Sequence, residues 1–114
     1  MGFEDLEVWK RFARLSAGVY KELSGLKDYG FRDQITRSSL STPSNIAEGM
    51  ERASDKEKER FLDIAKASCA ELRTQTYIGI DIGYIDNDVG KQWIMETKEI
   101  SAMLVGLIRN IQRG

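Results

Sequence analysis

The sequence predicts an all-α fold: an antiparallel up-down-up-down four-helix bundle forming one domain over residues 1–114. Three observations carry this. Apolar residues recur at spacings of three and four through four long segments, which is the period of an amphipathic helix. Helix start and stop signals separate those segments. The connections between them are short, and short links make antiparallel neighbours. No segment shows the alternation of a strand.

The first helix follows Phe3-Glu4-Asp5-Leu6. Leu6, Trp9, Ala13, Ser16, Tyr20 and Leu23 recur at three and four, and Val8, Phe12, Leu15 and Val19 run beside them. Together the two stripes cover about half the circumference, whereas a helix packed on one side needs a stripe of roughly 100°. The extra stripe therefore needs a second partner. We assign Val8, Phe12, Leu15 and Val19 to it, as the candidate interface between copies of the chain. Lys10, Arg14 and Lys21 line the opposite face, with Glu7 and Arg11 near its edges. Gly25 marks the stop, and Gly30 is expected in the turn before the second helix.

The second helix is expected from about Phe31 to Arg52. Phe31, Ile35, Ser38, Thr42, Ile46, Gly49 and Ala53 share one face when stepped at 100° per residue. Gln34, Ser38, Ser41 and Asn45 form a polar stripe at its edge. Short polar side chains there can satisfy each other, or spare backbone groups, where water is excluded. Pro43, the only proline, removes one backbone donor and frees the carbonyl of Ser39. Either Thr42 caps a new short helix with Pro43 at its first position, or a single helix kinks at Pro43. The face keeps its register across the proline, which favours the kinked single helix. Asn45 and Glu48 are read as a hydrogen-bond network that fixes helix register.

Ser54 with Glu57 is a capping box that opens the third helix, and Gly83 closes it after about Ile82. Its long stripe is Phe61, Ala65, Ser68, Leu72, Gln75, Gly79 and Ile82, with Ile64 and Ile78 beside it. The small members suit close packing on the second helix. Asp86-Asn87-Asp88 caps the fourth helix, where negative charge suits an N-terminus. Trp93, Thr97, Ile100, Leu104, Leu107 and Ile111 keep its rhythm.

Composition excludes several classes of function. Seventeen basic residues against eighteen acidic ones leave no global field to attract nucleic acid or membrane. There is no histidine and one cysteine, Cys69. A His/Cys zinc site within one chain and an intrachain disulfide are therefore ruled out, and Ser-His or Cys-His catalysis with them. Cys69 reads as a small buried residue. Glu-x-x-His pairs for a carboxylate metal site are absent, as is any glycine-rich phosphate loop. We expect no enzyme, no catalytic residue, no metal and no cofactor. No apolar run approaches the ~20 residues of a membrane span. No signal-peptide pattern opens the chain, so a cytoplasmic protein with no membrane partner is expected.

Ser41-Thr42-Pro43-Ser44-Asn45-Ile46-Ala47-Glu48-Gly49 resembles the signature S-I-P-S-N-I-A-E-G of a bacterial four-helix-bundle family. Its members are the proteins encoded in intervening sequences of 23S ribosomal RNA genes, and their stand-alone relatives. Phe3-Glu4-Asp5-Leu6-Glu7-Val8-Trp9 is similar to the family's F-x-D-L-x-V-W. Arg37-Ser38-Ser39-Leu40 is similar to R-R-A-x, and Ala65 to Leu72 to A-x-x-S-x-x-E-L. The sequence departs from the pattern at Thr42, where an aliphatic is usual, and at Ser38-Ser39, where alanines are common. The resemblance implies a homopentamer and a structural role for Ser41, Pro43, Ser44, Asn45, Ile46, Ala47, Glu48 and Gly49. A related family, the accessory variability proteins of diversity-generating retroelements, implies RNA or DNA as a partner. The expected function is a non-enzymatic homo-oligomeric accessory protein associated with RNA or DNA. Lys10, Arg11, Arg14 and Lys21 are its candidate nucleic-acid contacts. The alternative is a protein-binding scaffold with no nucleic-acid role.

Overall fold

Helix caps set the element boundaries in the computed structural model, which describes residues 2–114. A 3-10 turn over Phe3–Asp5 leads into α1 (Glu7–Glu22), α2 (Tyr29–Met50), α3 (Asp55–Asp81) and α4 (Asn87–Arg113). Asp28 accepts a hydrogen bond from the Phe31 backbone N–H at 3.1 Å. This cap starts α2 at Tyr29, so Gly30 lies in the first helical turn and not before it. Ser54 accepts from the Glu57 N–H at 3.2 Å, the first half of the expected box. Asp86 accepts from the N–H groups of Asp88 and Val89 and opens α4. Gly83, at φ 81°, is in the left-handed region that lets the Tyr84 and Ile85 N–H groups turn back onto the Gly79 carbonyl.

α2 and α3, and α3 and α4, run in opposite senses, as their paired residues show. Between α2 and α3 the partners descend as the chain rises: Ser38 with Gln75, then Ser41 with Ser68. Between α3 and α4, Glu59 meets Gln112 and Cys69 meets Thr97. A Cβ on Gly49 would stand 2.9 Å from that of Phe61 and 3.3 Å from the Lys58 carbonyl oxygen. Only a residue without a side chain lets the two backbones approach this closely.

One helix continues across Pro43, with no loop between Leu40 and Ser44. The proline's missing donor is replaced from another helix: Ser16 Oγ of α1 donates to the Ser39 carbonyl. That bond is buried, as are Ser16, Ser39 and Pro43. A carbonyl left bare inside the protein would cost about 1–3 kcal/mol, so the bond makes the proline tolerable here.

The core reverses the reading of α1. Phe12 and Val19 are fully buried, and Val8 and Leu15 nearly so. With Leu23 they pack against Ile35, Ile46, Leu72, Ile100 and Leu104 in the core cluster. They are not an interface between copies, and a charge at Phe12 or Leu15 would disrupt the protomer itself. The physical reason is polarity. This stripe has no polar side-chain atom at any position, whereas its neighbour includes the indole N–H of Trp9 and the hydroxyls of Ser16 and Tyr20. Burying the wholly apolar stripe leaves no side-chain donor or acceptor to be satisfied away from water.

Candidate interaction surface

The displaced stripe of α1 forms one wall of an open groove of about 620 Å³. From α1 come Trp9, Ala13, Ala17 and Tyr20, with Lys21 at one end and Phe3 from the preceding turn. Phe3 and Trp9 meet edge to face, with centroids 5.1 Å apart. The facing wall on α2 is Leu40, Pro43, Ser44 and Ala47. Tyr20 is 45% exposed and Leu40 50%. These residues cannot turn inward, because the opposite sides of both helices already fill the core. Small residues at the centre of each helix keep the floor low, and large ones raise its ends.

The family motif divides between three duties. Pro43, Ser44 and Ala47 line the groove. Ile46 is fully buried in the core, and Gly49 permits the contact with Phe61. Ser41 and Asn45 face α3: Asn45 Nδ2 donates to the Ser41 carbonyl at 2.8 Å and to Ser41 Oγ at 3.0 Å. Ser41 Oγ also shares a 3.0 Å bond with Ser68 Oγ. Ser38 Oγ donates to Gln75 on the same seam. Glu48 is not part of this network. It is exposed and pairs with Arg52 at 2.8 Å, one turn along its own helix.

The four basic residues of α1 do not act as one surface. Arg11 is half-buried and paired with Glu96 and, at 2.7 Å, with Glu99 on α4. Hydrogen bonds to these two carboxylates raise its pKa further, so it stays charged and committed. Lys10 is exposed, 4.0 Å from Glu7. Arg14 is exposed in a shallow cleft that also contains Glu96 and Glu99. Lys21 lies at the groove end. The fold thus sets acidic groups of α4 against the middle of the basic row.

Cys69 is buried and donates from its thiol to the Thr97 carbonyl at 3.3 Å. Burial pushes its pKa up to about 11, with a smaller opposing pull from Arg73. A thiol held protonated is no nucleophile at neutral pH. Among the described residues, no three His, Cys, Asp or Glu side chains gather as metal ligands. Among the described residues, no helix is long and apolar enough to cross a membrane.

The groove itself escaped the sequence reading. Its signal was present as Ala13 and Ala17 on α1, and as Leu40, Ser44 and Ala47 on α2. These small residues lie at helical spacing between larger apolar ones.

Residues 4–106 match the sequence model of the family described as 23S rRNA-intervening sequence protein. The fold is similar to a crystal structure from Bacteroides thetaiotaomicron, a protein with unknown function from the S23 ribosomal protein family. The TM-score is 0.83 at 24% identity, covering 89% of this chain and 97% of that one. At that identity the likeness carries the fold alone. No curated protein matches the chain. The chain belongs to the 23S rRNA-intervening sequence protein family.

Proposed function

We propose that this member of the family is a non-enzymatic, self-associating helical scaffold whose groove between α1 and α2 is a joint between copies. One observation carries the reading: the continuous apolar surface of Trp9, Ala13, Ala17, Tyr20, Leu40 and Ala47, left open by the protomer. Exposed apolar grooves edged by polar residues mark sites where another chain packs. A homopentamer is the stoichiometry that the family resemblance implies. The absence of histidine and the protonated, buried Cys69 support a role without catalysis. Light scattering at micromolar concentration tests the reading. The expected mass is about five times the 12.9 kDa of one chain, and Ala17→Glu with Leu40→Glu should lower it without loss of helix. A parent at the mass of one chain refutes it.

Association with RNA or DNA is the second reading. It is favoured by the exposed row Lys10, Arg14 and Lys21. The net charge of −1 and the commitment of Arg11 to Glu96 and Glu99 weigh against it. Phosphate-driven binding weakens steeply with salt. Filter binding of a 23S ribosomal RNA fragment at low and moderate salt separates the two readings: the scaffold reading expects no retained, salt-sensitive complex.

A further inference from the structure

We infer that the groove of one copy receives the outer face of α3 from a second copy, so that two different surfaces make each joint. This rests on the self-association reading above and adds the occupant of the groove.

The outer face of α3 carries a row at helical spacing: Ile64, Ala67, Glu71, Ile78 and Ile82. All five are exposed, the three isoleucines at 37%, 48% and 51%. None belongs to the core, because α3 turns Leu62, Ala65, Cys69 and Leu72 inward. The row is convex and built of branched aliphatics. The groove is concave, with alanines at its floor and Trp9, Tyr20 and Leu40 at its edges. A ridge of helix side chains seated between two helices is the ordinary geometry of helix packing. At about 1.5 Å per residue, Trp9 to Tyr20 spans ~16 Å and the row from Ile64 to Ile82 ~27 Å, so the groove covers somewhat more than half of the row.

Charge agrees as well. Lys21 lies at the groove, and Arg37 stands one turn before Leu40. Both are exposed, and neither has an ion-pair partner among the described residues. The one charge within the α3 row is Glu71, also exposed and unpaired among those residues. The next charge along, Arg60, is engaged with Glu57 at 3.2 Å. The free charge on the ridge, Glu71, is thus opposite in sign to Lys21 and Arg37 at the groove.

Packing groove on groove by a two-fold axis would cover one surface and leave the isoleucines in water. Packing ridge in groove covers both. Every copy then offers one surface of each kind, and such a head-to-tail joint closes into a ring when its rotation allows.

Two variants test this. The groove variant is Ala17→Glu with Leu40→Glu, and the ridge variant is Ile64→Glu with Ile78→Glu. Each should run as a single folded chain by light scattering, with helical content retained by circular dichroism. Mixed one to one, they should form a species of two chains and no larger, because only one intact groove and one intact ridge can meet. A ridge variant that keeps the parent's mass overturns the inference, as does a mixture that stays at one chain. Should either double variant unfold, Ala17→Glu and Ile78→Glu alone carry the same comparison. A parent that is itself a single chain, its groove serving a different protein, overturns self-association and this inference together. A multimeric parent with an unaffected ridge variant overturns this inference alone.

Discussion

Removing the Ser16 hydroxyl should expose the cost of the proline in α2. Ser16→Ala leaves the Ser39 carbonyl buried with neither the N–H that residue 43 lacks nor the hydroxyl that replaces it. An acceptor orphaned in this way costs about 1–3 kcal/mol. Alanine's better helix propensity returns roughly 0.5 kcal/mol of this. The net loss should therefore be about 1–2 kcal/mol. For a chain of this size, that lowers the Tm by several degrees, at roughly 4 °C per kcal/mol. The informative measurement is a double-mutant cycle with Pro43→Ala, by urea denaturation at one fixed protein concentration. Pro43→Ala restores the N–H to position 43, which gives the Ser39 carbonyl its intrahelical donor. In that background Ser16→Ala should cost almost nothing, or stabilise slightly. The coupling should be about 1 kcal/mol or more. Equal costs in both backgrounds, within the ~0.3–0.5 kcal/mol at which independent sites add, would refute the reasoning.

Asn45→Ala removes two hydrogen bonds to Ser41 from a half-buried amide, and urea denaturation should report a loss of about 1 kcal/mol. Stability matching the parent would mean that water replaces the amide freely. Gly49→Ala should destabilise by up to ~2 kcal/mol, because overpacking against Phe61 outweighs the ~1 kcal/mol of helix propensity gained. Gly106→Ala is the control: nothing lies within 4 Å of a Cβ there, so it should stabilise by roughly 0.5–1 kcal/mol in thermal melts. Cys69 should resist a thiol reagent at pH 8 until the chain unfolds. Its folded pKa is raised to about 11, above the ordinary 9.0. Its contribution is therefore fully present below pH 9 and is lost as pH rises through about 11. Tyr84, whose pKa is raised first by its hydrogen bond to Asp28, adds an alkaline loss of the same sign. Cys69→Ala should accordingly shrink the alkaline slope without abolishing it.

The sequence by itself determined the four helices and the turns that bound α3 and α4, because periodicity, caps and the Gly83 stop act within a few residues of each other; the turn before α2 was set by Asp28 and not by Gly25 and Gly30. Ser54, Asp86 and Gly83 perform in the fold as their local chemistry required. The family motif was legible for the same reason, being one unbroken helical segment. Tertiary structure decided which of two adjacent stripes on α1 turned inward. A helical count places Val8 and Trp9 only 100° apart, and periodicity alone does not say which of them the other three helices cover. It likewise decided that Arg11 would be spent on Glu96 and Glu99, some 85 residues away, and so could not join Lys10 and Arg14 in a common basic surface. The Ser39 carbonyl shows the division most plainly. Pro43 announces in sequence that this acceptor will lack its donor. Only the packing of α1 against α2 supplies Ser16 to replace it, because no local rule links residues 23 positions apart.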